Sequence, residues 1–548
     1  MGRIKQVSTD VLIIGSGGAG LRAAIEARRQ RMKVLLISKS MTGVATCTAC
    51  SMGAFTISHD HKGIVKHFHK TLDEGRLLNN PNLVRILVTK AWSAVKELET
   101  FGVKLSVEKD KAVIATEIRP AGVILSKVLT NRALSLGVNF VENAVVFDLA
   151  VEGNRCIGAF AFKKDTGEVV AISARAVILA TGGYARLYVR NDNPRTTTGD
   201  GLILAYNAGA ELQDLEFIQF QPAFIDAGVP RMPVLDWLIE ATKNFVPGGP
   251  LVNNVGEHFL GKYGLLDRKI SRDNLIVAVE RELLRKKSAD YVILDLTSLS
   301  PEEIEAAFDL EFQKRLVRPF KQILSKRMLR IASSAHSTMG GIRINEKCET
   351  GVEGLYAVGE VTGGIHGANR LGGNALTEIV VFGQIAGQQA AEHAKHTRLN
   401  MIEKEQIAKG KGILHELCNK AKPQKINPSL IKKHIISVVS KFCKPLRSGK
   451  GLLLALEKLK QIEEEGIPFM FSDNLDQLRE AVEANFMLQL AKFIATSALA
   501  RNESRGSHFR IDYPLSDDKN WLKNIIVTQE KGTTRIRYEP VQVASFSS

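Results

Sequence analysis

The chain has 548 residues, 45% hydrophobic and 24% charged, with a net charge of +16 and six cysteines. That length exceeds one ordinary core and predicts two to four domains. The cysteines are too sparse for a disulfide scaffold, and no apolar run approaches the roughly 20 residues that span a bilayer. Lys and Arg are spread along the chain, notably over 262–330 and 395–450, with no zinc-ligand spacing and no aromatic RNA-binding pattern. The charge therefore reads as a solvated surface plus anionic ligands, not as nucleic-acid binding, and no metal site is expected. The first residues, "MGRIKQVSTDVLIIG", lead almost directly into a strand without a secretion-type apolar region, so a cytoplasmic location is expected.

The stretch "TDVLIIGSGGAGLRAAIEARRQRMKVLLISKS" reads as a strand over 11–14, a helix over 21–30 and a strand over 34–37. Between the first strand and the helix, Gly15, Gly17 and Gly20 form G-x-G-x-x-G, with Gly18 inside it. The first glycine suits the tight turn, the second lets backbone approach a pyrophosphate, and the third lets helix and strand pack closely. Placed between a strand and a helix, the pattern points to a dinucleotide. The second strand ends in Ser38 and Lys39, not in the Asp or Glu of a plain NAD site, which leaves FAD open.

Later segments favour FAD. "ARAVILATGG" ends a strand in Ala180, Thr181 and Gly182. "TTTGDGLILAYNAGA" places Asp200 between glycines before a helix, and "GLYAVGEVTGG" ends a strand at Glu360. Acidic groups at such strand ends suit ribose or ribityl hydroxyls. Because these pieces lie far apart, an α/β fold with a discontinuous Rossmann-like FAD-binding domain is expected. The expected divisions are 1–214 and 336–395 for that domain, an inserted capping domain at 215–335, a helical domain at 396–510 and an extension at 511–548.

The segment 335–387, "AHSTMGGIRINEKCETGVEGLYAVGEVTGGIHGANRLGGNALTEIVVFGQIAG", together with "SRDN" at 271–274 and "SALARNESRGSHFRIDYPLSDDKNWLKN", resembles the flavoprotein subunits of fumarate reductase and succinate dehydrogenase, with L-aspartate oxidase a close cousin. The likeness spans nearly the whole chain. It implies hydride transfer between flavin N5 and a C=C or CH–CH bond next to a carboxylate. By this resemblance Arg370 and His336 hold the carboxylate, Arg272 donates the proton, and Glu240 with Lys243 stands where the family has its proton-relay pair. Gly53, Thr46, Asn374, Ala375 and Leu376 then fall at the cofactor. Arginine suits carboxylate binding because its planar fork pairs both oxygens.

Three departures from the family pattern carry expectations. Relatives with covalent FAD have a histidine near the position of Thr46, so non-covalent FAD is expected. The family's Gln-x-His-Pro-Thr reads Gln219-Phe220-Gln221-Pro222-Ala223 here, and Ile239 replaces a threonine. Gln221 carries no charge, so an unsaturated acid with one carboxylate and a neutral far end fits at least as well as fumarate. Cys47 and Cys50 form C-x-x-C beside the cofactor, either redox-active or, more simply, two small packing thiols. The sequence shows no haem motif, no iron–sulfur cysteine cluster and no second dinucleotide fingerprint. Electrons are therefore expected from a partner, on family precedent an iron–sulfur subunit, with a membrane reached only through partners. An oxidase like L-aspartate oxidase, and an electron-transfer subunit with a decayed pocket, remain as alternatives.

Overall fold

The structure is a computed structural model that describes residues 4–118, 120–226, 235–285, 290–419, 422, 424–530 and 532–542. Its central sheet begins with Lys5–Ile14, which pairs in parallel with Val34–Ile37 on one side and Val169–Leu179 on the other. Asn139–Val141 extends one edge. Across the other edge, Val169–Leu179 takes two partners: Arg155–Lys163 runs antiparallel along its first half and Leu355–Ala357 parallel along its last residues. A strand from the second part of the chain thus completes the sheet begun by the first, which makes the nucleotide-binding unit discontinuous. Val11, Leu12 and Ile13 are fully buried, because helices cover both faces of such a sheet and each apolar side chain removed from water contributes about 1.5–3 kcal/mol.

The helix Gly18–Arg29 follows the first strand, and the helix Asn374–His396 packs against it. Small residues set this contact: a Cβ on Gly387 would lie 2.4 Å from the Ala23 carbonyl oxygen, and one on Gly383 would lie 2.8 Å from Arg22 Cβ. The close approach carries the segment around Arg370 to the glycine-rich turn some 350 positions earlier in the chain.

Between the two parts of the nucleotide-binding unit stands a four-stranded antiparallel sheet of Ile218–Phe224, Leu329–Thr338, Val292–Leu294 and Leu251–Val252. It packs with the helices Leu235–Thr242 and Arg272–Leu284 over its own apolar core. Its two longest strands change register between Gln219 and Phe220, which pair with Ser337 and Ala335, so His336 is the extra residue of a β-bulge. Bulges re-aim side chains and are common beside active sites.

The helices Lys404–Leu417, Pro428–Phe442, Gly449–Glu465 and Leu475–Ala500 follow. In Gly449–Glu465, Leu452, Ala455 and Leu459 face the core at helical spacing while Leu453 is exposed, so its amphipathic pattern is chiefly ordinary packing. The terminal hairpin Lys523–Glu530 and Thr533–Pro540 does not stand apart: its first strand pairs with Leu212–Gln213 of the nucleotide-binding unit. No helix among the described residues is long and apolar enough to cross a membrane.

Candidate active site

One continuous cavity, about 280 Å³, runs from the first glycine-rich turn to the strand ends of the inserted unit. At its nucleotide end, Gly15 adopts φ +114°, and a Cβ there would lie 2.2 Å from the Ala180 carbonyl oxygen. A Cβ on Gly20 would meet the Gly15 carbonyl oxygen at 2.1 Å, so this glycine serves close helix–strand packing. Gly17 is different. A Cβ there would fill the cradle itself, with only Thr48 Oγ1 nearby at 3.9 Å. Gly17 caps the helix Gly18–Arg29 without a side-chain cap, and Thr48 Oγ1 accepts from the Gly18 N–H at 2.9 Å. A positive helix end with a glycine cradle suits a pyrophosphate.

Ser38, Lys39, Thr46, Gly53, Ala180, Thr181, Gly182, Asp200 and Glu360 line the same cavity, as do Gly15, Gly17 and Gly18. Lys39 Nζ pairs with Asp200 Oδ2 at 2.7 Å and reaches Glu483 Oε1 of the helix Leu475–Ala500 at 3.1 Å. Glu483 also meets Lys432 and Arg479, and these cations hold its carboxyl well below the usual range despite burial. Glu360 accepts from the Thr338 N–H at 3.0 Å, and burial pushes its carboxyl up. Ala375 and Leu376 line the wall where the helix Asn374–His396 begins, again with no side-chain cap. Asn374 is turned elsewhere: its amide meets His67 Nε2 at 2.9 Å and Thr71 Oγ1 at 3.0 Å.

At the other end Arg272, His336 and Arg370 line the cavity together. Arg272 is the first residue of the helix Arg272–Leu284. Its NH1 donates to Gln219 Oε1 at 3.1 Å, and Arg370 NH2 donates to the same oxygen at 3.0 Å. One buried amide therefore holds two guanidiniums side by side. Gln219 completes its bonds by donating to Asn369 Oδ1 at 2.8 Å and the Arg370 carbonyl at 3.0 Å. Burial, and then the nearby Arg272 charge, push the Arg370 guanidinium down to about 10. Arg370 Nε is buried with no partner.

The expected relay pair forms, off the cavity wall. Glu240 and Lys243 do pair, at 3.2 Å. But Glu240 accepts from the Ile270 N–H at 2.9 Å, Lys243 reaches the Arg268 carbonyl at 2.5 Å, and neither lines the cavity. The carboxylate against Arg272 is Asp236, one turn earlier on the same helix, which accepts from Arg272 Nε at 2.7 Å. Gln221 also lies off the cavity wall and donates to Asp192 Oδ2 at 2.7 Å. Asp192 does line the cavity, and its Oδ2 meets His336 Nδ1 at 2.8 Å. Gln219, Asp236 and Asp192 were missed as site residues. Gln219 carried a signal, being two positions from Gln221 on one strand; the others became visible only through their partners. Cys47 donates to Asn193 Oδ1 at 3.2 Å, and burial, with the charges of Glu360 and Asp192, pushes its thiol well up. That makes Cys47 a poor thiolate; it is half-buried and Cys50 is exposed, so the two are not a pair of buried packing thiols.

The FAD binding domain family matches residues 10–376, and the fumarate reductase flavoprotein C-terminal family matches residues 432–547. The chain belongs to the fumarate reductase and succinate dehydrogenase flavoprotein family. An uncharacterised FAD-dependent oxidoreductase of Methanocaldococcus jannaschii is 35% identical over 96% of this chain and 97% of its own length. One subunit of the fumarate reductase (CoM/CoB) of Methanothermobacter marburgensis is 31% identical over 95% and 97%. A solved structure of a variant of Escherichia coli quinol fumarate reductase covers 99% of this chain and 98% of its own, with TM-score 0.86 and 30% identity. The protein is an FAD-dependent oxidoreductase of the fumarate reductase type, acting on CH–CH bonds.

Proposed function

We propose that this flavoprotein reduces the C=C bond of an α,β-unsaturated carboxylate, with Arg370 and His336 holding the carboxylate and Arg272 as proton donor. The observation that carries the reading is the shared acceptor Gln219 Oε1, which sets the Arg272 and Arg370 guanidiniums side by side in the cavity that also contains the Gly17 cradle. FAD, when bound, supplies the two-electron reduction. Arg370 offers a desolvated, fixed positive charge where negative charge develops on the substrate carboxylate, and such preorganised groups need no rearrangement during the reaction. Arg272 is a poor acid in water. Asp236 fixes its orientation, and geometry lets it protonate a carbanion-like carbon that is a far stronger base. Asp236, paired with Arg272, is the carboxylate placed to return a proton to it, with Glu240 one turn on along the same helix and Lys243 just past the helix end.

The FAD is held non-covalently in this reading. Thr46 stands near the position of the histidine in relatives with covalent FAD, and its side chain is engaged in accepting from the Ala49 N–H at 3.1 Å. Acid precipitation should release all the yellow colour into the supernatant. The electron donor is a partner protein carrying iron–sulfur clusters, in keeping with the relatives named as subunits of fumarate reductases, and any membrane is reached through it.

The test is anaerobic: the flavin is reduced with dithionite, an enoate is added, and flavin absorbance is followed. Reoxidation by an enoate in the native protein, absent in Arg370→Ala with FAD still bound, is the expected result. Equal reoxidation in both proteins would overturn the assignment.

A further inference from the structure

Of the six cysteines, Cys47 and Cys50 line the cavity and the other four do not. Both stand on one short helix, Cys47–Cys50, which is held from several sides. Thr46 caps it by accepting from the Ala49 N–H at 3.1 Å, and the Cys50 N–H donates to the Thr46 carbonyl at 3.1 Å, so the segment is a full helical turn. Thr48, between the two cysteines, accepts from the Gly18 N–H at the glycine cradle. Cys47 Sγ donates to Asn193 Oδ1 at 3.2 Å, and Asn193 Nδ2 donates in turn to the His336 carbonyl at 2.7 Å. The turn therefore joins the cradle to the substrate end. An FAD held at the cradle and reacting with a substrate on Arg370 and His336 spans the same stretch of wall.

The spacing suits a disulfide. Three residues along one helical turn set the two Cα atoms about 5 Å apart, inside the range of roughly 4.4–6.8 Å that disulfides use. The two thiols also feel each other: burial, then the charges of Glu360 and Asp192, then Cys50 itself push the Cys47 thiol up. A protonated thiol is a slow nucleophile without being a weak reductant. Dithiols become oxidants when a stabilised thiolate favours their reduced form, and Cys47 has no such stabilisation.

We propose that Cys47 and Cys50 form a second redox centre, a dithiol/disulfide couple that exchanges two electrons with the flavin, so that the subunit holds four electrons and not two. In the oxidising direction two S–H bonds break and one S–S bond forms. The two electrons and one proton pass to the oxidised flavin, and the second proton passes to the carboxylate of Glu360, which lines the same cavity. The reverse step recharges the pair from reduced flavin. No further oxidant or reductant enters, and the step is the same whichever acid the flavin reduces.

The test uses the holoenzyme, oxidised with ferricyanide and desalted. It is then illuminated anaerobically with EDTA, which reduces flavin and does not itself reduce a disulfide. Samples taken before and after illumination are denatured, alkylated and mapped by mass spectrometry. Before illumination Cys47 and Cys50 should be joined and resist alkylation; as the flavin bleaches, both should become alkylated. Protein stripped of FAD and illuminated in the same way should keep the disulfide. A dithionite titration gives a second readout: about four electrons per FAD in the native protein against about two in Cys47→Ser and Cys50→Ser, a twofold difference, since each couple takes two. If the variants fail to hold FAD, the native and FAD-free alkylation patterns decide the matter. Cys47 and Cys50 both alkylated after ferricyanide, a disulfide that persists while the flavin bleaches, or two electrons per FAD in the native protein would overturn the proposal, as would flavin carried covalently on either cysteine. None of these measurements uses an enoate, so their failure leaves the enoate-reductase reading standing.

Discussion

Replacing Gln219 by Leu tests the centre of the site. The side chain is 1% exposed and makes four hydrogen bonds, two of them received from guanidiniums. Leu keeps the approximate volume and removes every bond. Bonds to charged groups are worth about 1.5–3 kcal/mol each, and a buried donor left alone costs at least as much as the bond did. Arg272 retains Asp236, but Arg370 loses its only side-chain acceptor among the described residues. Loss of one such bond in the transition state lowers kcat/KM by about 10- to 200-fold. With Arg370 and Arg272 then repelling each other without a shared acceptor, a fall of about 10² to 10³ is expected. The FAD content should stay at the native level, because Gln219 does not line the cavity. The assay is steady-state reduction of an enoate by a dithionite-reduced dye, with bound flavin measured on the same sample. Gln219→Glu supplies the control: it keeps the acceptor oxygens but cancels the field that attracts a carboxylate, so KM should rise more than kcat falls. Native kcat/KM in Gln219→Leu, with full flavin content, would refute the idea that the shared amide sets the arginine pair.

Gly17→Val should give a folded protein that has lost FAD, since its Cβ would enter the cradle and meet little protein; normal circular dichroism with native flavin content would contradict this. Asp236→Asn should lower kcat by about 10² with FAD retained and should increase the solvent isotope effect, as proton return to Arg272 slows; an unchanged isotope effect would argue for a purely structural Asp236. His67 is buried, and desolvation pushes its imidazole down to about 4. The unfolded chain therefore binds this proton first as pH falls, so its contribution is present above about pH 6.5 and is lost progressively down to about pH 4, amounting to about 3 kcal/mol. His67→Gln should flatten denaturant midpoints across that window, and an unchanged slope would exclude His67 as a source of it.

The nucleotide end was legible because it is local. A strand, a glycine turn and a helix occupy about thirty consecutive residues, and each glycine answers a backbone demand that the residues themselves express. The expected strands and helix over 11–37 correspond to Lys5–Ile14, Gly18–Arg29 and Val34–Ile37. The terminal hairpin was not legible as part of this unit, since its pairing with Leu212–Gln213 joins strands more than 300 positions apart, and periodicity carries no information about the partner of a strand.

At the catalytic end the sequence supplied residue types but not their partners, and there the partners decide the chemistry. Glu240 and Lys243 have the right spacing and do pair, but i, i+3 spacing fixes only a shared helix face. Which turn of that face reaches Arg272 depends on how the helix Leu235–Thr242 lies over the strand Ile218–Phe224, and that places Asp236 there. Gln221 looked like a weakened grip on a second carboxylate because its neighbour across the fold was unknown. The bulge at His336 and the backbone bonds of Asp192 supply that neighbour, and it is itself a carboxylate. Gln221 is thus bonded within the protein, while Ile239 packs in the apolar core of the inserted unit. Gln221 and His336 both spend a ring or amide nitrogen on Asp192, so what this stretch of wall offers a ligand is decided by that shared partner and not by the two residue types that the sequence displays.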